Sequence, residues 1–235
     1  MISLTEMVME DMDEESEERQ DLERVIEAGL RAQGLIKQIL SFSRAEKPED
    51  IMDSETVETI DLGTVTLDAL KLVQATTPSS VSLTHDINDG SFPVALPHGQ
   101  LHQIVMNMVG NATHAIDGKI GTIHLSIRSE PIDPATAANH PGVSATNHAC
   151  LKISDSGSGM DDETKNRIFE PFFTTKEVGQ GTGMGLSVIH GIVSKANGFI
   201  AVDSVPGQGT DFEIYLPLTD ESEVAEDLPL RAVNE

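Results

Sequence analysis

Apolar residues recur at helical spacing near the start of the chain, at Leu22, Val25, Ile26, Leu30, Ile36, Ile39 and Leu40, with charges between them. This stripe predicts helix. A dense acidic stretch at 11–18 interrupts it, so the pattern predicts two antiparallel helices, roughly 1–12 and 17–44, with no proline in either. The first is too short to fold alone. The pair reads either as a surface hairpin or as half of a four-helix bundle made by two chains; the second is favoured, because a lone hairpin leaves its stripe uncovered. Residues 45–59, charged and holding Pro48, read as a linker.

From Ile60 the texture changes. A short strand is predicted over 60–62, a helix over 63–75 on Val65, Leu67, Leu70 and Val73, and an alternating strand over 81–87. Residues 97–116 carry the strongest helical pattern, with Leu101, Ile104, Val105, Met108, Val109, Ala112 and Ile116 on one side. Strands are predicted over 121–128 and 150–155, separated by an exposed loop over 129–148 that is rich in Pro, Ala, Asn and Thr. Helical pattern returns over 162–169 and 184–196, followed by strands over 199–204 and 210–216 joined at the turn Val205-Pro206-Gly207-Gln208-Gly209. The sum is an α/β domain over 60–218, a mixed sheet with helices packed on it. The acidic residues 219–235 read as a disordered tail.

Composition narrows what this domain does. The 235 residues carry 15 Lys+Arg against 39 Asp+Glu, a net charge of -24. So acidic a chain is a poor partner for nucleic acid or an anionic membrane, and local features must hold any nucleotide. Aromatics are 3%, without tryptophan, so the core is aliphatic and no platform for stacked bases is expected. The single Cys150 lies in a strand pattern and reads as a buried structural thiol. No apolar run approaches the ~20 residues of a membrane span, and the acidic N-terminus is unlike a secretory signal. A cytoplasmic location is expected.

Three clusters carry candidate chemistry. Asn107 and Asn111 are four apart on the 97–116 helix, which places both amides on one face. They read either as buried amides bonded to backbone or as oxygen donors completing the shell of a Mg²⁺ whose charge phosphates neutralise. Asp155-Ser156-Gly157-Ser158-Gly159-Met160 follows a strand, where the carboxylate can accept from an exocyclic amine and the glycines admit a flat ring. Gly179-Gln180-Gly181-Thr182-Gly183-Met184-Gly185-Leu186 runs into a helix and can wrap backbone N–H groups around phosphates. It is neither a P-loop nor a dinucleotide fingerprint, because no Gly-Lys-Ser/Thr ends it and no βαβ unit frames it.

In order and spacing these clusters resemble the sensor histidine kinase branch of the ATPase superfamily that also holds gyrase B, Hsp90 and MutL. LHQIVMNMVGNATHAI (101–116) resembles its N box, DSGSGM (155–160) its G1 box, RIFEPFFTTK (167–176) its F box, GTGMGLSVIHGIV (181–193) its G2 box and SVPGQGTDFEIYLP (204–217) its final glycine turn and strand. The resemblance covers 60–218. It implies a two-layer α/β sandwich of the Bergerat type, with helices on one face of the sheet. It implies ATP and Mg²⁺ as ligands, Asn111 as principal metal ligand with Asn107 beside it, and Asp155 as reader of the adenine amine. Gly157 and Gly159 would shape the adenine wall and Thr210 would support it. Lys176 and the loop 174–183 would cover the phosphates, with Gly181, Thr182, Gly183, Gly185 and Leu186 near them. His114 stands where some members carry a phosphate-proximal residue, and reads equally as a solvated helix residue; His102 and His190 are expected to pack.

In this family the phosphate acceptor is a histidine on the first helix of a dimerisation hairpin. Residues 1–84 hold no histidine; the first is His85. Residues 22–44 resemble the second hairpin helix and 1–12 the later part of the first, so the acceptor is expected upstream of Met1 and autophosphorylation by this chain alone is not expected. The resemblance implies a homodimer through 1–44 and a response-regulator receiver domain as partner. The competing reading is a non-catalytic ATP-binding and dimerisation protein that regulates a partner kinase or binds a receiver domain. An Hsp90-like or MutL-like ATPase ranks last, because the 97–116 helix offers no glutamate as general base.

Overall fold

A computed structural model of the protein describes residues 58–87, 90–176 and 182–219, together with Ser16, Arg19 and Leu22. The chain divides into two units, Met1–Ser54 and Glu55–Glu235. In the first, Arg19 and Leu22 are helical and the Arg19 N–H donates to Ser16 Oγ at 3.2 Å, the bond a serine makes at a helix start. The rest of the hairpin expected over 1–44, the linker up to residue 57 and the tail from 220 lie outside the described residues.

The second unit runs β1 (Thr59–Asp61), α1 (Leu62–Gln74), β2 (Val81–Asp86), β3 (Pro93–Ala95), α2 (His98–Ile116), β4 (Gly121–Pro131), α3 (Pro134–Ala138), β5 (Asn147–Asp155), α4 (Asp162–Arg167), α5 (Gly185–Lys195), β6 (Phe199–Val205) and β7 (Gly209–Pro217). A five-stranded sheet has the order β2-β4-β5-β7-β6, parallel only between β2 and β4, and β1 pairs with β3 in a separate two-stranded ribbon. The mixed sheet with helices on it is as expected. The β1–β3 ribbon holds two further contacts: Asp61 caps α1 by accepting from Thr64 N at 2.8 Å, and its other oxygen accepts from Phe92 N at 2.8 Å.

Burial follows the period of each element. On β5, Ala149, Leu151 and Ile153 enter the main core, as do Phe212, Ile214 and Leu216 on β7. Leu101, Ile104, Val105, Met108, Val109 and Ala112 of α2 meet them, with Ile189, Ile192 and Val193 of α5. The α2 helix is thus sandwiched between α1, α5 and the sheet. It ends where Asp117 adopts a left-handed φ of 53° and its N–H turns back to His114 O.

The opposite face of the sheet corrects one expectation. Residues 129–148 are not simply an exposed loop: β4 continues to Pro131, β5 begins at Asn147, and α3 lies between them. Ile132, Cys150, Phe199 and Tyr215, with Ala137 and Val143 of the insert against them, form a second small core there. His140 stacks on Phe199, and Phe199 on Tyr215, at centroid separations of 4.3 and 4.4 Å. Cys150 is fully buried in this core, and burial pushes its thiol up to about 12.

Candidate active site

The α2 helix is the spine of the site, because each chemical cluster touches a different point along it. Asn107 and Asn111 are half-buried on one face, as their spacing requires. At Gly185, the first residue of α5, an added Cβ would lie 3.3 Å from Asn107 Oδ1, so the start of α5 abuts the first amide. Lys176 reaches the second: its Nζ donates to Asn111 Oδ1 at 3.5 Å. One turn on, His114 is exposed; partial burial and the Lys176 charge together hold its imidazole below the usual histidine range.

The last turn of α2 is locked to the Asp155 loop. Ser158 N donates to Ala115 O at 2.9 Å, and a Cβ on Gly157 would stand 2.6 Å from the Ala115 Cβ. No residue but glycine allows the loop to approach the helix this closely. Gly157 N also donates to Asp155 Oδ1 at 2.7 Å, which orients the carboxylate. Asp155 is largely withdrawn from water, and this desolvation raises its pKa above the usual carboxylate range despite the bonds from the Gly157 and Thr210 backbone.

Thr210 stands opposite Asp155 in the β5–β7 register and is buried. A side chain that the sequence pattern does not single out, Ser204, ties this corner together. Met160 N donates to Ser204 Oγ at 2.9 Å, and Ser204 Oγ donates to Gly209 O at 3.0 Å. Its one proton is then committed, so Thr210 Oγ1, at 2.9 Å, is the donor between the two hydroxyls. Gly207 N donates to Ser158 O at 2.6 Å, joining the β6–β7 turn to the Asp155 loop. Ala115 was equally hidden; the only signal for either residue is its position inside a recognisable block, next to residues that carry chemistry.

The glycine segment is described from Thr182. Thr182 Oγ1 accepts from Met184 N at 3.2 Å, and Gly183 takes a left-handed φ of 65° with its Cα against the Phe172 backbone. Met184 is buried, and Leu186 packs at the edge of the main core. Met184 gives α5 no side-chain cap, so the first-turn amides at 185–187 have no helical acceptor, the arrangement that suits a helix start to an anion. Gly181 lies outside the described residues, as does the rest of the segment 177–181.

The block 167–176 flanks the site. Phe172 has a φ of 67°, an uncommon conformation for an aromatic residue, and its ring is exposed. The Arg167 guanidinium lies 4.4 Å from the Phe173 ring centroid, and Arg167 Nε donates to Glu170 Oε2 at 3.2 Å. His190 meets the Phe169 ring at 5.1 Å but is exposed, and the His102 ring lies tilted against His98 at 4.5 Å. Among the described residues no three His, Cys, Asp or Glu side chains converge as metal ligands. No helix among the described residues is long and apolar enough to cross a membrane.

Known proteins carry the same arrangement. The family of histidine kinase-, DNA gyrase B- and HSP90-like ATPases matches residues 98–220. The sensor kinase CckA of Brucella abortus is 34% identical over 212 residues, which is 90% of this chain and 22% of that protein. The sensor histidine kinase ZraS of Salmonella typhimurium is 31% identical over 164 residues, 69% of this chain and 32% of that one. The chain therefore spans about a fifth to a third of the length of these relatives. Among solved structures, the mycobacterial sensor histidine kinase MprB superposes with a TM-score of 0.54 at 25% identity, covering 68% of this chain and 97% of that one. The full-length ShkA complex with AMPPNP shares the fold, with a TM-score of 0.68 at 21% identity over 90% of this chain and 41% of that one. On its motifs, its fold and these matches, the chain belongs to the histidine kinase-, DNA gyrase B- and HSP90-like ATPase family, and its ATP-binding module is of the kind that sensor histidine kinases carry.

Proposed function

We propose that this site binds Mg·ATP and delivers its γ-phosphoryl group to the imidazole of a histidine on a dimerisation hairpin, for relay to an aspartate of a response-regulator receiver domain. The observation that carries the reading is the convergence on α2 of the Asp155 loop, two amide oxygens and an uncapped helix start. The residues suit the ligands. Asp155 is held open by Gly157 N to accept from an exocyclic amine. The closeness of Gly157 to Ala115 leaves a smooth wall for a flat ring. The α5 amides offer donors to phosphate oxygens.

Asn111 and Asn107 supply hard, neutral oxygens, the type that Mg²⁺ takes alongside phosphates. Mg²⁺, when bound, offsets phosphate charge and holds the phosphates in one geometry. The chain's own residues do the rest: Asp155 and Thr210 fix the base, Gly183, Gly185 and Leu186 present backbone N–H groups to the phosphates, and Lys176 and His114 stand on the phosphate side. Attack by the acceptor imidazole forms a P–N bond as the bond from the γ-phosphorus to the ADP oxygen breaks, and the developing charge on that oxygen is met by these donors.

The test supplies what residues 1–84 lack. The chain is incubated with γ-labelled Mg·ATP and a separate helical hairpin bearing the acceptor histidine. Acid-labile label is expected on the hairpin and absent with Asp155→Ala. ATP binding without any transfer to the hairpin would overturn the kinase reading and leave a nucleotide-binding regulator.

A further inference from the structure

The chain carries 39 acidic residues against 15 basic ones, and most lysines and arginines of the ATP-binding unit pair accordingly. Lys71 meets Asp68, Lys152 meets Asp211 and Glu213, Lys165 meets Asp162, Arg167 meets Glu170, and Arg128 meets Glu130 and Glu213. Lys176 does not follow this rule. It is the most desolvated of these cations, and desolvation lowers its pKa. Among the described residues no carboxylate pairs with it, and its bond goes to a neutral amide oxygen, Asn111 Oδ1 at 3.5 Å.

That oxygen is the one assigned above to Mg²⁺. A bond of 3.5 Å is at the outer limit of hydrogen bonding and well beyond the usual length for a charged donor. The ammonium is therefore held loosely, in a place where a desolvated cation gains from any nearby negative charge. Resting on the reading of the site as an Mg·ATP site, we infer that Lys176 is a stand-in cation: in the nucleotide-free protein its ammonium occupies the metal's side of Asn111, and it yields that position when metal and nucleotide bind together.

Two consequences separate this role from that of a simple phosphate contact. Without metal, Lys176 can stay beside Asn111 and offset the charge of bare ATP. With metal, it must move, and this displacement opposes metal entry. Lys176 thus weakens the dependence of nucleotide binding on metal, a quantity that differs from affinity itself. A lysine that only touched phosphate would strengthen both forms alike and leave the dependence unchanged.

The experiment is calorimetric titration of the full chain with ATP in EDTA and again in saturating Mg²⁺, for wild type, Lys176→Met and Lys176→Arg. The ratio of the two dissociation constants is read for each, with circular dichroism to establish folding. In Lys176→Met, metal-free affinity is expected to fall at least tenfold and Mg·ATP affinity by a factor at least three times smaller, so the ratio rises threefold or more. Lys176→Arg, which keeps the charge, is expected to hold the wild-type ratio within threefold. Parallel losses in both conditions, or no change in either, would overturn the stand-in role. Absence of ATP binding by folded wild type would instead refute the nucleotide-site reading on which it rests.

Discussion

Replacing Gly157 by alanine puts a methyl group where the fold has no space. The new Cβ would lie 2.6 Å from the Ala115 Cβ, 2.7 Å from the Ala115 carbonyl carbon and 2.7 Å from Asp155 Oδ1. Two of these neighbours belong to the body of α2 and cannot swing away, so the loop itself must retreat. Retreat stretches the Ser158–Ala115 bond of 2.9 Å and the Gly157–Asp155 bond of 2.7 Å. Overpacking of this kind costs about 1–3 kcal/mol, and weakening a bond to a charged acceptor adds on the order of 1 kcal/mol. The stability loss is expected at about 2–3 kcal/mol by urea denaturation. Because Asp155 loses its orienting donor, ATP affinity should fall by roughly ten- to a hundredfold, at about 1.4 kcal/mol per decade. Gly110→Ala is the control: it lies on the exposed face of α2, its Cβ would meet nothing within 4 Å, and alanine should add about 0.5–1 kcal/mol. A Gly157→Ala protein within about 0.3 kcal/mol of wild type and within twofold in ATP affinity would refute the claim that this close approach shapes the site.

Other consequences follow from the burial of single groups. The folded-state pKa of Asp155 is raised, so its contribution favours folding below the unfolded carboxylate pKa and is lost as pH rises through the folded value. Asp155→Asn should therefore be more stable than wild type at neutral pH, with the advantage vanishing as pH falls below the carboxylate range. Urea midpoints between pH 3 and 8 measure this, and an advantage that grew on acidification would contradict it. Cys150, buried and with its thiol pushed up to about 12, should resist a thiol-specific reagent at pH 8 until the chain is unfolded by denaturant. Fast labelling of the native protein would show that the second core opens.

Much of the site was legible because its signals are local. The i,i+4 spacing of Asn107 and Asn111 needs only a helix to bring the amides together, and the Asp155 cluster needs only a strand end. Helix limits were close, since the apolar period of α2 ends where Asp117 and Gly118 turn left-handed. What escaped was either too short or non-local. The β3 strand has three residues, and its pairing with β1 depends on chain 34 residues away, from Ile60 to Val94. The insert reads as loop in the sequence because its polar surface masks a second core of four buried residues. Its Asp133-Pro134 pair was nonetheless a readable helix start, with Asp133 accepting from Ala135 N and Thr136 N. The approach of Lys176 to Asn111 spans 65 positions, and the left-handed Phe172 has no signature in the sequence.

We propose above that the α2 amides, the Asp155 loop and the start of α5 form one ATP site. Calorimetric titration of the full chain with Mg·ATP, beside Asp155→Ala verified as folded by circular dichroism, tests it most directly. Saturable binding to one site per chain is expected in wild type, and its loss in the variant. Equal binding by both proteins, or none by folded wild type, would contradict it.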